Sequence, residues 1–260
     1  MTQTTMQTRV FESAETLALN VAAWLCALAQ ASDHVFAVCL SGGSTPRRLY
    51  ERLATPAIAA RFPWSRSHWL WGDERFVPHT HPDSNFRLAD EAFLAGVPVP
   101  GANVHAVPTE GLSPDASAAA YEATLKRFYG DEALAAERPL FDVTLLGIGE
   151  DGHTASLFPG QPALQERRRW AVAVIGARHE PRITLTYPAL DSSRQVVFLV
   201  TGREKQVVLT RVRDGSSNLP AAMVRPVGHL HCFTDRSAEP GGRLMVIEGR
   251  KKTDASRPWW

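Results

Sequence analysis

Residues 147–153 contain the side chains best suited to catalysis. The segment Gly147-Ile148-Gly149-Glu150-Asp151-Gly152-His153 joins a glycine-rich turn to an aspartate and a histidine two residues apart. Histidine titrates near neutrality, so it can take a proton from water and return it, and a neighbouring carboxylate can orient the ring. We therefore predict that His153 is a general base and that Asp151 orients it. The alternative is a turn aspartate beside a surface histidine.

A second segment, Ser41-Gly42-Gly43-Ser44-Thr45-Pro46, is rich in glycine and precedes a predicted helix. Without side chains at positions 42 and 43 the backbone can approach an anion, and the helix N-terminus supplies N–H groups and positive potential. This pattern favours a phosphate site, and the alternative is a tight turn in which Thr45 only caps the helix. It is not a Walker loop, because the Gly-Lys-Ser/Thr ending is missing. It is not a dinucleotide fingerprint either, because the third glycine is absent.

Charged side chains follow another predicted strand. Asp73-Glu74-Arg75 comes directly after an apolar run, where carboxylates and a guanidinium can order a catalytic site or clamp an anion. The alternative is a solvated loop. Farther along, Arg182 precedes a strand and Lys205 begins a helix. Each is typical of a surface charge when taken alone, and either can supply a second cation to a phosphate bound near Ser41.

A histidine pair is the one feature that suggests a metal. His79 and His81 lie in a proline-flanked loop, but no further ligand cluster follows nearby in the sequence. Protein metal sites need three or four ligands at characteristic spacing. We therefore predict that the protein uses no metal.

The elements that must position these segments alternate along the chain. Thr45 is predicted to be the N-cap of a helix at 47–62, with Pro46 at its first position. Strands separated by helices of this length form crossover units, so we predict one α/β domain with a mostly parallel, Rossmann-like sheet flanked by helices on both faces. Strands are predicted at 34–40, 68–71, 104–107, 141–146, 171–175, 183–186, 196–200 and 229–233, and helices at 17–29, 47–62, 86–94, 116–129 and 203–213.

Four polar clusters, at residues 41–45, 72–75, 147–153 and 201–205, come directly after predicted strands. In a parallel α/β sheet, ligands bind beyond the carboxyl ends of the strands. We therefore expect the four clusters to meet in one site.

Composition limits the possible partners and the compartment. Twenty-eight Lys and Arg against 27 Asp and Glu give a net charge of +1, so neither nucleic acid nor an anionic membrane is expected as a partner. Hydrophobic residues make up 44 % of the chain, which is enough for a packed core. Cys26, Cys39 and Cys232 are odd in number and scattered, which indicates no disulfide framework and predicts a reducing cytoplasm. No obligate protein partner is inferred.

The most apolar stretch of the chain, residues 17–29, is shorter than the roughly 20 residues that a bilayer requires. A signal peptide is the alternative, since Ala29-Gln30-Ala31 imitates a cleavage site, but Glu12 and Glu15 lie where that interpretation needs positive charge. The apolar side chains follow helical spacing. We predict an amphipathic helix packed on the sheet.

Taken in order, the clusters resemble the 6-phosphogluconolactonase family. The resemblance covers roughly residues 9–236, and the run 152–159 is its most specific part. Residues 239–260 depart from the family pattern, and residues 237–260 are predicted to be a peripheral C-terminal tail. The matching stretches are 40–46, 71–78 with Asp83-Ser84-Asn85, 141–143 through 152–159, 182–186, 202–205 and 219–222.

The resemblance implies hydrolysis of 6-phospho-D-glucono-1,5-lactone to 6-phospho-D-gluconate in the oxidative pentose phosphate pathway, without a cofactor. It implies that His153 activates water and that Asp151 and Asp73 order the site. Arg75 would stabilise the oxyanion or hold the phosphate. The expected phosphate site consists of Ser41, Gly42, Gly43, Ser44 and Thr45 with Lys205 and Arg182.

Two rival functions remain at this point. Glucosamine-6-phosphate deaminases look similar in both glycine-rich segments, but they usually have an aromatic residue where Arg75 stands and Asn-Glu-Pro near Phe158-Pro159. The acidic helper of the deaminase is therefore missing here. A non-catalytic sugar-phosphate sensor would not need His153 and usually carries a DNA-binding module, which this sequence does not show.

Overall fold

A computed structural model describes residues 5–215 and 218–239 of the chain. Its main sheet has seven strands in the order β1-β10-β9-β6-β2-β3-β5, and every neighbouring pair is parallel. The predicted α/β fold with a mostly parallel sheet is confirmed. The strands are β1 (Gln7–Phe11), β2 (Phe36–Leu40), β3 (Ser67–Trp71), β4 (Asp73–Arg75), β5 (Val104–His105), β6 (Phe141–Leu146), β7 (Ala171–Val174), β8 (Arg182–Leu185), β9 (Ser193–Val200) and β10 (His229–Asp235).

Helices flank the central sheet and cover its apolar strands. Strands β2 and β6 are buried along their whole length, as expected for parallel strands covered on both faces. The helices are α1 (Ala14–Ala31), α2 (Ser44–Leu53), α3 (Pro56–Ala59), α4 (Asn85–Ala92), α5 (Pro114–Tyr129), α6 (Tyr187–Asp191) and α7 (Gln206–Arg213).

Helix α1 shows how local sequence and packing agree. Ser13 caps it by accepting a hydrogen bond from the Thr16 amide, and Leu17, Val21 and Leu25 are fully buried on one face. The helix packs against β10 and α2, as the prediction of an amphipathic helix requires. By length and composition alone this helix could cross a membrane, and 44 % of that segment is buried inside the fold.

A second, three-stranded sheet has the order β4-β8-β7 and is antiparallel. The strands predicted at 171–175 and 183–186 are present as β7 and β8, but they lie outside the parallel sheet, because residues 175–181 join them as a hairpin and are too few for a parallel crossover. Asp73–Arg75, predicted as a loop, is a strand of this sheet. Gly72 connects the two sheets: its N–H donates to Leu40 O at 2.9 Å, and its carbonyl accepts from Leu185 N at 2.8 Å.

Helix α2 begins earlier than predicted. Its N-cap is Gly43, whose φ of +106° favours glycine, and Ser44 is its first residue. Thr45 is therefore not the N-cap, and its hydroxyl lies 2.7 Å from that of Thr201. The predicted helix at 47–62 is also interrupted, because Pro56 cannot continue α2 and instead begins the short helix α3.

The first residues of the predicted tail contact the folded domain. Ala238 is fully buried, and Glu239 accepts hydrogen bonds from the Arg213 guanidinium at 2.7 and 2.9 Å. Residues 240–260 lie outside the described part of the chain. The division between a domain at 9–236 and a tail at 237–260 stays a prediction.

Candidate active site

Four segments meet in one cleft of about 370 Å³, beyond the carboxyl ends of β2, β6 and β9 and beside β4. This is the position at which parallel α/β sheets bind ligands. Ten of the eleven predicted site residues line the cleft, and the eleventh, Asp151, hydrogen-bonds to His153. The ten are Ser41, Gly42, Gly43, Ser44, Thr45, Asp73, Arg75, His153, Arg182 and Lys205.

The loop after β6 folds His153 back onto Asp151. Asp151 Oδ1 accepts from the His153 amide at 3.1 Å and lies 2.5 Å from Nδ1 of the ring. Gly149 makes this turn possible, since a Cβ there would overlap the imidazole. Partial burial tends to raise the pKa of Asp151, but hydrogen bonds from His153 and Arg178 outweigh it and lower the pKa overall. Asp151 therefore favours its ionised form beside the His153 ring.

Two side chains that the sequence did not predict as site residues flank this pair. The Phe158 ring lies 4.7 Å from the His153 ring, and the Arg178 guanidinium lies 4.6 Å from the Phe158 centroid. Arg178 also donates to Asp151 Oδ2 at 2.8 Å. Phe158 falls within the run that carries the family resemblance, whereas Arg178 lies in the exposed β7–β8 loop and carries no sequence signal.

Tyr50 and Asn85 fix the conformation of the glycine-rich loop after β2. Tyr50 is fully buried, and its hydroxyl accepts from the Ser41 amide at 2.9 Å and donates to the Ser41 carbonyl at 2.7 Å. Gly42 lies against the side-chain amide of Asn85, which a Cβ would overlap. The amino end of the ten-residue helix α2 therefore opens into the cleft with no side chain at positions 42 and 43.

The acidic residues of β4 have different surroundings. Asp73 Oδ2 accepts from Ser156 Oγ at 2.7 Å, and the Asp73 carbonyl accepts from Asn85 Nδ2 at 2.9 Å. Glu74 is 1 % exposed, and burial raises its pKa. Its carboxylate accepts from the Arg75, Asn85 and Phe86 amides, each at 2.7 Å. Glu74 thus fastens β4 to the start of α4, while Asp73 faces the cleft.

Two arginines lie side by side on the small sheet. Arg75 on β4 is the direct register partner of Arg182 on β8, and Arg75 donates to the Asp83 carbonyl at 2.5 Å. Burial and the neighbouring charge of Arg75 lower the pKa of Arg182, whose NH1 is buried and has no hydrogen-bond partner among the described residues. Like charges in directly opposed positions destabilise a sheet. The pair, with Lys205 in the same cleft, favours a negatively charged ligand.

The histidine pair at 79 and 81 is engaged within the protein. His79 Nε2 lies 2.8 Å from the Val107 carbonyl, and the His79 ring stacks on Phe86 at 4.6 Å. His81 Nδ1 accepts from the Asp83 amide at 3.2 Å. Among residues 5–215 and 218–239, no three or more His, Cys, Asp or Glu side chains form a group that could hold a metal ion.

Comparison with known proteins identifies the family. The model of glucosamine-6-phosphate isomerases/6-phosphogluconolactonase matches residues 12–232. A 6-phosphogluconolactonase from Nostoc sp. is 43 % identical over 81 % of this chain and 85 % of the relative, and one from Rattus norvegicus is 40 % identical over 83 % of each. The chain therefore belongs to the glucosamine-6-phosphate isomerase/6-phosphogluconolactonase family, as the sequence resemblance predicted.

Solved structures agree with this assignment. The crystal structure of 6-phosphogluconolactonase from Thermotoga maritima has a TM-score of 0.74 and 30 % identity, and the match covers 89 % of this chain and all of that one. A monomeric glucosamine-6-phosphate deaminase has a TM-score of 0.75 over 90 % of this chain and 98 % of its own, but only 18 % identity. That second likeness concerns the fold alone.

Proposed function

We propose that this chain hydrolyses 6-phospho-D-glucono-1,5-lactone to 6-phospho-D-gluconate by attack of a histidine-activated water. The chain is an enzyme of the lactonase class, a carboxylic ester hydrolase, as its curated relatives at 43 and 40 % identity indicate. The observation that supports the chemistry best is the cleft itself. It joins a histidine oriented by a carboxylate to two adjacent arginines and an open helix N-terminus.

The phosphate of the substrate is assigned to the loop Ser41–Thr45. Backbone N–H groups at the start of α2 can donate to its oxygens. Arg182 and Lys205 line the same cleft and supply positive charge. Binding the phosphate at a fixed point positions the lactone ring, which lowers the barrier by restricting the orientations of the reacting carbonyl.

His153 is assigned the role of general base. With Nδ1–H donated to Asp151, the lone pair lies on Nε2, which takes a proton from water as the water oxygen bonds to the lactone carbonyl carbon. The carbonyl oxygen becomes an oxyanion. Collapse of this intermediate breaks the bond to the ring oxygen, which receives the proton from His153, and the new acid ionises. General-base assistance of this kind is typically worth about 10²–10⁴ in rate.

Arg75 is assigned to the developing negative charge. It lies beside Arg182 and is tethered to the Asp83 carbonyl, so it either stabilises the oxyanion or shares the phosphate. The two roles differ in kinetics. An oxyanion role lowers kcat in Arg75→Ala with both phosphorylated and unphosphorylated lactone, whereas a phosphate role raises KM with the phosphorylated lactone alone.

The proposed reaction belongs in the oxidative pentose phosphate pathway, and we place the protein in the cytoplasm. The three cysteines are free and buried, which agrees with a reducing compartment. The substrate is a small sugar-phosphate lactone, and no cofactor, nucleic acid, membrane or obligate protein partner is proposed.

The deciding experiment is an assay on freshly prepared 6-phosphogluconolactone, corrected for spontaneous hydrolysis, with His153→Ala as the matched control. Lactone opening by the wild type well above the control supports the proposal. The same preparation is tested for ammonia release from glucosamine 6-phosphate. Ammonia release at a comparable rate would favour the deaminase instead. Tight binding of sugar phosphates without turnover would favour the sensor.

A further inference from the structure

The loop between β7 and β8 contributes one side chain to the surroundings of His153. Arg178 donates to Asp151 Oδ2 at 2.8 Å, while Asp151 Oδ1 lies 2.5 Å from His153 Nδ1. The Arg178 guanidinium also lies over the Phe158 ring, and that ring packs against the imidazole. Arg178 therefore contacts both groups that flank His153.

Asp151 needs a second partner to hold one orientation. Its side chain is 38 % exposed, so water competes for its oxygens, and the contacts with the amide and the ring of His153 both involve Oδ1, which leaves Oδ2 to be held by another group. A charge-assisted hydrogen bond from a separate loop fixes the carboxylate from the other side. The Arg178 plane is itself restrained by the Phe158 ring, because a guanidinium can stack on an aromatic face while it donates in its own plane.

We propose that Arg178 is a positioning residue that fixes the Asp151 carboxylate and, through it, keeps the His153 ring with Nδ1 toward Asp151 and Nε2 available to water. This inference rests on the proposed function, because it concerns the base of that reaction. Arg178 lines the cleft together with His153, and the role assigned to it is exerted through Asp151.

The surrounding charges define what the test must separate. Asp151 and Arg178 are the charged groups in contact with the His153–Phe158 cluster, and Asp73, Arg75, Arg182 and Lys205 line the same cleft. When Arg178 is removed, its positive charge no longer offsets the negative charge of Asp151. The Asp151 carboxylate then stabilises the protonated form of His153 more strongly. The acid limb of activity should then move to higher pH.

The kinetic test uses Arg178→Ala, Arg178→Lys and a control, Arg168→Ala, which removes an exposed arginine just before β7 that does not line the cleft. Arg178→Ala should lower kcat roughly tenfold, because losing a hydrogen bond to the partner of a functional side chain commonly has an effect of that size. KM should change less than about twofold. Arg178→Lys should recover most of the loss, and Arg168→Ala should match the wild type.

A double-mutant cycle decides whether Arg178 acts through Asp151. In an Asp151→Asn background, Arg178→Ala should change kcat by less than about twofold, because the charged partner is already gone. An equal loss in both backgrounds, or a rise in KM as the main effect, would overturn the proposal and make Arg178 a substrate contact.

A measurement without substrate separates this inference from the proposed function. In ¹⁵N NMR of the His153 ring, the wild type should carry the proton on Nδ1, and Arg178→Ala should reduce that tautomer while Arg168→Ala leaves it unchanged. An unchanged ring signal in Arg178→Ala overturns the inference whatever the activity. If the ring signal changes in Arg178→Ala but the wild type does not open the lactone, the inference about Arg178 stands and the proposed function is wrong.

Discussion

Arg75 on β4 and Arg182 on β8 occupy directly opposed positions in an antiparallel ladder. Such a pair of like charges costs stability unless an anion lies between or beside them. Among residues 5–215 and 218–239, Arg75 donates to the Asp83 carbonyl, and Arg182 lies 3.6 Å from Glu180. We expect a bound anion to offset the repulsion between the two guanidinium groups.

The first prediction follows from this pair. Arg182→Met should leave the empty protein at least as resistant to heat as the wild type, because it removes the repulsion from Arg75. Inorganic phosphate should raise Tm of the wild type and not of the variant. KM for the phosphorylated lactone should rise by a factor that corresponds to roughly 1.5–3 kcal/mol for a charged hydrogen bond. Equal stabilisation of both proteins by phosphate would show that Arg182 does not bind it.

The same argument predicts substrate preference. Unphosphorylated gluconolactone should be a much poorer substrate than the phosphorylated lactone, because it has no group to hold at the Ser41–Thr45 loop. Lys205→Ala should reduce the difference in kcat/KM between the two lactones, because it should lower kcat/KM for the phosphorylated lactone alone. The measurement is kcat/KM for both lactones with each protein, and equal values for the wild type would contradict the phosphate assignment.

The next prediction concerns His153. His153→Ala should lower kcat by about 10²–10⁴ with little change in KM, because the assigned phosphate contacts lie elsewhere in the cleft. The wild-type rate should fall at acid pH, as the imidazole takes up a proton, and this limb should vanish in the variant. Steady-state kinetics of the folded variant across pH tests both points. A raised KM with normal kcat would make His153 a contact for a substrate hydroxyl instead.

Gly42 offers a prediction in which backbone conformation plays no part. A Cβ at this position overlaps the Asn85 amide, which hydrogen-bonds to the Asp73 carbonyl, so Gly42→Ala should displace Asn85 and disturb the cleft. We expect kcat/KM to fall at least about tenfold, with loss of a hydrogen bond as the lower bound. Gly101→Ala is the control, since a Cβ there meets nothing within 4 Å. Full activity in Gly42→Ala would show that Asn85 can move without consequence.

His34, at the opposite end of β2 from the cleft, predicts a pH dependence of stability. Hydrogen bonds to Asp33 and then to Asp142 raise its pKa above the ordinary value of 6.5. A group whose pKa is raised by folding stabilises the protein fully below its unfolded pKa, and that contribution is lost as pH rises through the folded pKa. Urea unfolding of the wild type and His34→Gln should therefore differ more at pH 5.5 than at pH 8.5. The effect should be modest because the pair is half exposed.

Removal of metal gives a further prediction. Exhaustive treatment with a chelator should leave lactone hydrolysis unchanged, because the sequence assembles no set of three or four ligands with metal spacing. Activity is measured before and after treatment and after adding zinc back. A loss that zinc alone restores would require a metal role for His79, His81 or His153.

The positions of the chemistry-bearing residues could be predicted because they follow strand ends in the sequence. Ser41, Asp73 and His153 each come within a few residues of an apolar run, and parallel topology then brings such positions to one edge. The start of α2 could not be placed correctly, because the positive φ of Gly43 lets the helix begin before Thr45, which has the better capping side chain.

Sequence patterns predict β7 and β8, but neither their antiparallel pairing nor the third strand of the small sheet, β4. Asp73–Arg75 is short and charged, which disfavours a strand, and it becomes one only by pairing with residues about a hundred positions away. β1 was missed because only Phe11 of its five residues is buried, so no apolar run marks it. Arg178 could not be predicted as a site residue, because its contacts with Asp151 and Phe158 arise from the fold and no local motif encodes them.

Gly72 makes one hydrogen bond to each sheet and thereby fixes the arginine pair relative to the central sheet. The β7–β8 loop, on the other side of the site, is held less closely. The arginine pair cannot move away from the central sheet without breaking one of these two bonds. The β7–β8 loop is joined to the small sheet at its last residue, where the Phe76 amide donates to the Pro181 carbonyl at 2.9 Å, and to the site through the Arg178 side chain. In directed evolution, we therefore expect changes at 175–177 and 179–180, which spare Arg178 and Pro181, to admit new lactones while the anion contacts are kept. Substitutions at Gly72 should instead impair all substrates together.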